Sequence, residues 1–253
     1  MDIQPGSSPD SQPLIEAENL SKRYKGSGTW AVKDISFTAG YGRVVGLIGE
    51  NGAGKSTLLR MMATILSPSE GRIRIAGHDA KARPGDVRRS IGILFGQHSG
   101  LYERLTAREN IHYFANLNGM RIKETEQKLE EISALLEMDD FLNRPAGTFS
   151  TGMRQKVLIA RSIIHNPKVL MLDEPASGLD VTASRNIHRF IGWCREMNKT
   201  VVFSSHDLGA VERISDNVLV LHKGRLLASG PPSEISGGKT LEEHFFTVRE
   251  AAQ

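Results

Sequence analysis

The chain has 253 residues, of which 39% are hydrophobic and 24% are charged, and its formal net charge is +3. These values are typical of one large or two small globular domains. No stretch approaches the roughly 18 apolar residues of a membrane span, and the interspersed charges do not indicate a nucleic-acid-binding surface.

The N-terminal segment MDIQPGSSPDSQP, residues 1–13, is rich in Pro, Gly and Ser, which predicts a flexible tail. It has neither the apolar core nor the basic leader of a secretion signal. The single cysteine, Cys194, excludes an intrachain disulfide and indicates a reducing compartment. We therefore expect a cytoplasmic protein.

Strand-like and helical patterns follow one another along the chain. Strands are predicted first, in LIEAENLSKRY, WAVKDISFTA and RVVGLIG, and then in the alternating segment GRIRIAG (71–77). Helical periodicity dominates from about 106 to 165, where Thr106 and Glu109 form a predicted capping box. Leu129, Ile132 and Leu136 share one apolar helix face there.

After residue 168 strands and helices alternate, and two strands end abruptly in polar residues. VLMLDEP (169–175) and VVFSSH (201–206) are continuous apolar runs, as expected of strands buried in a parallel sheet. RVVGLIGE turns polar at the same end. Because ligands bind beyond the carboxyl ends of such strands, three strands indicate one common site in an α/β fold.

The segment GENGAGKST, residues 49–57, carries the strongest motif. Gly49, Gly54, Lys55 and Ser56 have the G-x-x-x-x-G-K-[ST] spacing between an apolar strand and a helix. Glycine amides and the helix N-terminus can surround phosphate oxygens. Lys55 is predicted to reach the β and γ phosphates and Ser56 to ligate Mg²⁺; a purely structural glycine turn is the alternative.

Four further side chains are candidates for the chemistry. Of Asp173 and Glu174, one carboxylate can hold Mg²⁺ through water and the next can act as a general base towards an attacking water. His206 could contact the γ-phosphate, and Gln97 follows the apolar run IGILFG. The alternatives are an incidentally acidic strand end, a structural histidine and an ordinary surface glutamine.

The segment FSTGMRQKV, residues 149–157, has the pattern of a helix N-terminus. Ser150 is a predicted N-cap, and Gly152 leaves a bare amide near the positive end of the helix dipole. The segment is either an elaborate cap or a site where an anion binds the backbone.

In this order, these motifs resemble those of the ATP-binding-cassette (ABC) ATPases, over residues 14 to 230. GENGAGKS resembles the Walker A loop, VLMLDEP resembles Walker B with its catalytic glutamate, and FSTGM stands where the family has LSGGQ. Thr151 and Met153 depart from that signature, whereas Ser150 and Gly152 are kept. The remaining matches are the adenine-stacking Tyr24, the glutamine-loop Gln97, the D-loop SGLD from Ser177 to Asp180, and the switch His206.

The resemblance implies the fold, the cofactors and the residue roles. The fold is a P-loop NTPase with a mostly parallel core sheet, an N-terminal antiparallel β subdomain and a helical signature subdomain inserted at about 99–165; residues 231–253 form a short C-terminal tail. Glu174, His206 and Gln97 are implied as catalytic. The implied ligands of ATP are Tyr24, Gly49, Asn51, Gly52, Ala53, Gly54, Lys55, Ser56 and Thr57, those of Mg²⁺ are Ser56, Gln97 and Asp173, and those in trans are Ser150, Thr151, Gly152 and Met153.

The resemblance also implies partners. A second cassette, expected to be another copy, would share both nucleotides, and an integral membrane permease would hold the chain at the inner face of the cell membrane. Leu101, Tyr102 and Leu105, within residues 98–111, are candidates for the permease groove or for ordinary packing.

The expected function is an exporter ATPase, because STGMRQKV and the short tail LEEHFF are similar to bacterial sodium-extrusion and drug- or polysaccharide-export types; sodium extrusion is favoured. The alternative is a soluble ABC ATPase acting on ribosomes or DNA, but such proteins usually carry two cassettes or a long coiled coil. Glu174 argues against a regulator that does not hydrolyse ATP, and no nucleic acid is expected as a partner.

Overall fold

The chain folds into two β-sheets and surrounding helices in a computed structural model that describes residues 13–95 and 100–251, without the side chains of 248–251. The strands are β1 (Ile15–Lys22), β2 (Val32–Ala39), β3 (Val44–Ile48), β4 (Glu70–Ile75), β5 (His78–Asp79), β6 (Ile91–Phe95), β7 (Val169–Asp173), β8 (Thr200–Ser204), β9 (Asn217–His222) and β10 (Arg225–Gly230). The helices are α1 (Lys55–Met62), α2 (Pro84–Ser90), α3 (Ala107–Leu117), α4 (Ile122–Leu136), α5 (Thr151–Ile163), α6 (Val181–Glu196), α7 (Leu208–Ile214), α8 (Pro232–Ser236) and α9 (Leu241–Ala251).

The larger sheet has the strand order β10-β9-β3-β8-β7-β6. All of its pairs are parallel except β10 with β9 at one edge. Strands β3 and β8 are buried along their whole length, which explains their continuous apolar sequences. The predicted α/β fold with a mostly parallel core sheet is confirmed, and β3, β8 and β7 are neighbours whose carboxyl ends meet at one edge.

Successive residues of the central strands contribute to two separate cores. Along β7, Leu170 and Leu172 pack in the core shared with the helical insert. Val169 and Met171 pack in the other core, shared with α1 and the smaller sheet. Side chains of a strand alternate between its faces, so the central sheet is covered on both sides.

The smaller sheet is antiparallel, with the order β2-β1-β4-β5. In β4, Ile73 and Ile75 are buried while Arg72 and Arg74 are exposed, which confirms the predicted half-exposed strand. Its buried face covers α1, which begins directly after the glycine-rich loop. The predicted N-terminal antiparallel β subdomain is therefore confirmed.

Helices α3, α4 and α5 form the inserted helical region between β6 and β7. The Thr106 hydroxyl accepts a hydrogen bond from the Glu109 N–H, and the Glu109 carboxylate accepts one from the Thr106 N–H, so the predicted capping box is present. Leu129, Ile132 and Leu136 are buried on one face of α4, as their spacing predicts.

The last residues of the chain form α8 and α9. Leu241 is buried and Phe245 is 8% exposed, and both belong to the core on the helical side of the sheet. The segment predicted as a short C-terminal tail thus includes a helix that packs on the core. Across the described ranges, no helix combines the length and the hydropathy that a membrane crossing requires.

Candidate nucleotide-binding site

The glycine-rich loop connects β3 to α1 and uses backbone conformations that favour glycine. Gly49, Gly52 and Gly54 have φ angles of 153°, 82° and 106°, which L-residues with a Cβ rarely adopt. A Cβ on Gly54 would lie 2.6 Å from the carbonyl oxygen of Ala31. The glycine at this position is therefore required both by the backbone conformation and by the approach of a neighbouring segment.

Lys55 begins α1 and is buried beneath the loop, with 6% of its surface exposed. Its Nζ donates to the Gly49 carbonyl over 2.6 Å and to the Glu50 carbonyl over 3.3 Å. Burial lowers the pKa of Lys55, and the nearby carboxylates of Glu174 and Asp173 oppose that shift. The ammonium group is thus held by loop carbonyls at the floor of the site.

Asp173 and Glu174 lie at the end of β7, and Ser204 of β8 fixes both. The Ser204 hydroxyl donates to Asp173 Oδ1 over 2.6 Å and accepts from the Glu174 N–H over 2.9 Å. Glu174 has a φ of 52°, so the chain turns sharply there. The two carboxylates have different partners, Ser204 for Asp173 and His206 with Lys55 for Glu174, which suits them to different roles.

The Glu174 carboxylate is held close to two basic groups. Its Oε1 lies 3.0 Å from His206 Nε2 and 4.0 Å from Lys55 Nζ. This oxygen is buried and accepts no hydrogen bond of good geometry from any described residue. Burial raises the pKa of Glu174, and His206 and Lys55 partly offset the rise. A buried carboxylate with an unused lone pair can accept a proton from a water molecule.

These residues surround a cleft of about 260 Å³ beside the loop. Its lining is Ala31, Glu50, Asn51, Gly52, Ala53, Gly54, Lys55, Ser56, Thr57, Asp173, Glu174 and His206. The described part of the chain contains no group of three or more His, Cys, Asp or Glu that could hold a metal. Mg²⁺ usually takes one or two carboxylates together with substrate phosphates, so Ser56 and Asp173 fit an ion that arrives with a nucleotide.

Tyr24 is connected to this cleft through the first turn of α1. Its hydroxyl lies 3.3 Å from Thr57 Oγ1, and 42% of its surface is exposed. An exposed ring next to a phosphate loop is available to stack on a base. The structure therefore places Tyr24 beside the loop, and its stacking on adenine stays a prediction.

The signature segment lies apart from this cleft. Ser150 caps α5 by accepting a hydrogen bond from the Met153 N–H over 3.2 Å, and it is exposed with Thr151. Gly152 has no described heavy atom within 4 Å of where a Cβ would lie. Met153 is partly buried against the core. The exposed end of α5 is thus open to a molecule outside the chain.

The D-loop follows directly from Glu174. The Ser177 N–H donates to the Glu174 carbonyl over 3.1 Å. Asp180 caps α6 by accepting from the Ala183 N–H over 2.7 Å. Asp180 and Gly152 line the same cleft of about 470 Å³ between the helical region and the core, whereas Gln97 lies outside the described residues.

Two contributors to the site were not identified from the sequence. Ser204 joins Asp173 to Glu174. The sequence feature that could have identified it is a hydroxyl side chain at the polar end of the apolar run VVFSSH. Gln155 donates to the Pro175 carbonyl over 2.7 Å, which ties α5 to the segment after Glu174. No local pattern distinguishes this glutamine from an ordinary helical one.

A parallel sheet, a glycine loop leading into a helix and a carboxylate pair on a neighbouring strand define a P-loop nucleotide-binding protein. The family model described as ABC transporter matches residues 32–177. The chain belongs to the ABC transporter family, as an ATP-binding and ATP-hydrolysing subunit.

Two curated relatives illustrate the similarity. The chain is 43% identical to the ABC transporter ATP-binding protein NatA of Bacillus subtilis (strain 168) over 219 residues, covering 86% of this chain and 89% of that protein. It is 34% identical to the daunorubicin/doxorubicin resistance ATP-binding protein DrrA of Streptomyces peucetius, covering 87% of this chain and 66% of that protein.

Solved structures agree with the fold. An ATP-binding subunit of an ABC transporter superposes with a TM-score of 0.85 at 29% identity, covering 93% of this chain and 99% of the other. A dimeric ATP-binding cassette in a post-hydrolysis state bound to ADP and Pi gives 0.78 at 26% identity, covering 86% and 98%. Cassettes of this family dimerise and work with membrane components.

Proposed function

We propose that the 260 Å³ cleft binds ATP with Mg²⁺ and that Glu174 is the general base of hydrolysis. The observation that carries this proposal is the buried, unused Oε1 of Glu174, which lies between Lys55 and His206. Bound Mg²⁺ would neutralise charge on the phosphates. Ser56 and Asp173 are the proposed ligands from the described residues, and Gln97 is a further candidate.

The basic groups in the cleft have different tasks. Lys55 is released from the carbonyls of Gly49 and Glu50 to bind phosphate, which it can do because both contacts are with neutral oxygens. His206 holds the proposed base in place and contacts the γ-phosphate. Tyr24 stacks on adenine, while the amides of Asn51, Gly52, Ala53 and Gly54 surround the phosphates with the hydroxyls of Ser56 and Thr57.

The signature residues act on a second copy of the chain. Ser150 and the bare amide of Gly152 form an anion site at the N-terminus of α5. They are absent from the described lining of the chain's own nucleotide cleft, which favours binding in trans. Thr151 and Met153 occupy the other signature positions.

The strength of such contacts is sufficient to close a dimer. Moving a two-state equilibrium from about 1:99 to 99:1 takes roughly 5.5 kcal/mol of differential affinity. A hydrogen bond to a charged group contributes about 1.5–3 kcal/mol. Two or three such bonds at each of two nucleotides are therefore enough, even after ordering costs.

The proposed partner surface for an integral membrane permease is aromatic. Tyr102 and Tyr113 are 48% and 43% exposed, with ring centroids 5.1 Å apart. Leu105 lines a neighbouring groove of about 390 Å³ with Met120 and Ile122. Leu101 is buried in the core, so the packing alternative applies to that residue.

We propose export as the direction of transport, with the chain at the inner face of the cell membrane. DrrA is named for daunorubicin/doxorubicin resistance, which removal of a drug from the cell would provide, and BcrA of Bacillus licheniformis is named for bacitracin transport. MetN 1 of Rhodococcus jostii, named for methionine import, is 36% identical.

Dimerisation and the membrane partner are tested on the full chain. ATP hydrolysis per subunit should rise with protein concentration and fall on dilution, because each nucleotide needs residues from two copies. A rate per subunit that is independent of dilution contradicts the shared site.

Purification from native membranes should recover an integral membrane protein with the parent chain but not with the double variant Tyr102→Asp/Tyr113→Asp. Recovery of ribosomes or DNA instead contradicts the transport role.

Direction is tested in vesicles that contain the complex. ATP added at the cassette side should move substrate away from that side, measured separately for Na⁺ and for a cationic drug. Movement towards the cassette side contradicts export.

A further inference from the structure

The segment 100–106 is fixed to the helical region by a buried side chain. Asn110 is buried in α3, and its amide accepts from the Tyr102 N–H and donates to the carbonyls of Tyr102, Leu105 and Thr106 over 2.9–3.2 Å. An amide with all these contacts holds the backbone in one conformation. The segment therefore behaves as a rigid part of the helical region.

An ion pair joins this segment to the first turn of the signature helix. Both oxygens of Glu103 accept from the Arg154 guanidinium, over 2.7 Å and 3.0 Å, and this contact lowers the pKa of Glu103. The Arg154 N–H donates to the Ser150 carbonyl over 2.9 Å. A bidentate pair fixes orientation as well as distance, so it constrains the helix end that carries Ser150.

A second arginine of α5 holds the beginning of the same segment. The Arg161 guanidinium carbon lies 3.7 Å from the centre of the Phe114 ring, and one N–H donates to the Gly100 carbonyl over 3.3 Å. Arg154 and Arg161 are seven residues apart, about two helical turns, and so lie on one face of α5. That face is directed at the segment.

An aromatic row continues from Arg161 to the surface. Phe114 packs edge-to-face with Tyr113, with centroids 5.4 Å apart, and Tyr113 packs in the same way with Tyr102. The rings of Tyr113 and Tyr102 are exposed. A row of contacting rings therefore connects the exposed surface to Arg161 of α5.

Resting on the proposed function, in which the signature acts in trans, we propose that Arg154 and Arg161 are positioning residues of the signature. Together they hold α5 to the segment 100–106 and to the exposed aromatic surface. They orient Ser150 and Gly152 for the nucleotide of the second copy and couple that orientation to the surface where a membrane partner binds. Their effect on the phosphate is exerted through the position of α5.

The test uses a Glu174→Gln background in which the ATP-bound dimer persists. Arg154→Glu, Glu103→Arg and the exchanged pair Glu103→Arg/Arg154→Glu are compared by analytical ultracentrifugation with ATP and Mg²⁺. The matched control exchanges Glu18 and Arg72, a bidentate pair of the same kind on the antiparallel sheet at 2.8 Å and 3.1 Å. ATP affinity of the dilute monomer is measured in every variant by fluorescent nucleotide displacement.

Each single reversal should raise the dimer dissociation constant about tenfold, a common size for coupling between sites. ATP affinity of the monomer should stay within about twofold of the parent, since neither Glu103 nor Arg154 is among the described residues that line the nucleotide cleft. The exchanged pair should restore dimerisation, because it restores the contact. Phe114→Leu, which keeps apolar volume but removes the ring beneath Arg161, should weaken dimerisation with unchanged monomer affinity.

Three outcomes overturn the inference. Parent-like dimerisation of Arg154→Glu shows that the ion pair does not position the signature. Failure of the exchanged pair, with the Glu18 and Arg72 control intact, shows that the contact between Glu103 and Arg154 is not what sets dimerisation. Parent-like dimerisation of Phe114→Leu removes Arg161 from the proposal. If the Glu174→Gln parent itself stays monomeric with saturating ATP, the proposed shared site fails instead, so the two failures are distinguishable.

Discussion

The Oε1 atom of Glu174 lies 3.0 Å from the Nε2 atom of His206, although the two residues are on different strands. Glu174 follows β7 and His206 follows β8, and these strands are paired in parallel. The contact has the distance of a hydrogen bond without its geometry. The carboxylate is therefore oriented by charge and remains able to accept a proton.

Glu174→Gln should abolish hydrolysis while preserving ATP binding. Loss of a positioned general base costs typically about 10²–10⁴-fold in rate, and glutamine keeps the size of the side chain. Phosphate release should fall by that factor, and the variant should elute as a dimer on size exclusion with saturating ATP. Ser36→Ala, on the exposed side of the β subdomain, is the control and should hydrolyse ATP at the parent rate. Parent-like turnover in Glu174→Gln would assign the base elsewhere.

The rate should fall with decreasing pH at values above those of an ordinary carboxyl group. Because burial raises the pKa of Glu174 above that of an ordinary glutamate, the active ionised form is lost earlier on acidification. His206 lowers that pKa, so His206→Gln should move the acidic limb to higher pH. The profile of kcat/KM for ATP at constant ionic strength measures both effects. Disappearance of the limb in His206→Gln would mean that the histidine itself carries it.

Gly54→Ala should weaken nucleotide binding and the fold together. A Cβ would lie 2.6 Å from the Ala31 carbonyl oxygen, at a φ of 106°. The backbone conformation alone costs about 1–2 kcal/mol, and relief of the clash displaces the loop, so ATP affinity should fall at least about tenfold. Gly28→Ala is the control, since its Cβ would meet no described atom within 4 Å. Calorimetry and denaturant unfolding provide the two measurements.

Ser150→Ala should separate the capping role of Ser150 from its proposed role in trans. Loss of an N-cap costs about 1 kcal/mol, and Thr240→Ala, which removes the hydroxyl that accepts from the Glu243 N–H at the start of α9, should cost a similar free energy of unfolding. Only Ser150→Ala should also prevent the ATP-dependent dimer. Equal dimerisation of the two variants would mean that FSTGM acts only as a helix cap and not as an anion site.

Features encoded locally were predictable from the sequence, and contacts between distant segments were not. The Gly54-Lys55-Ser56 spacing and the buried strand before it belong to one short stretch, which also specifies the conformation of the loop. The approach of Ala31 to Gly54 depends on how the smaller sheet packs on the loop. The bridge from Ser204 to Asp173 likewise depends on the order of β7 and β8.

The C-terminal segment and Leu101 illustrate the same limit. Residues 231–253 follow the last strands and are expected to form a short tail, but Leu241 and Phe245 are spaced one helical turn apart and their burial stabilises α9. Leu101 is apolar and near the proposed partner surface, yet it is buried in the core. Exposure could not be assigned without the packing of α3 against α5.

The side chains of β7 alternate between two cores, and this alternation fixes the position of the acidic pair at the end of the strand. Deleting one residue from VLML would exchange Leu170 and Leu172 with Val169 and Met171, so that each side chain would enter the wrong layer. The strand can therefore adopt only one register relative to its neighbours. That register determines how far Asp173 and Glu174 extend beyond the end of the sheet. The distance between the acidic pair and the glycine loop is thus determined by buried aliphatic side chains outside the nucleotide cleft.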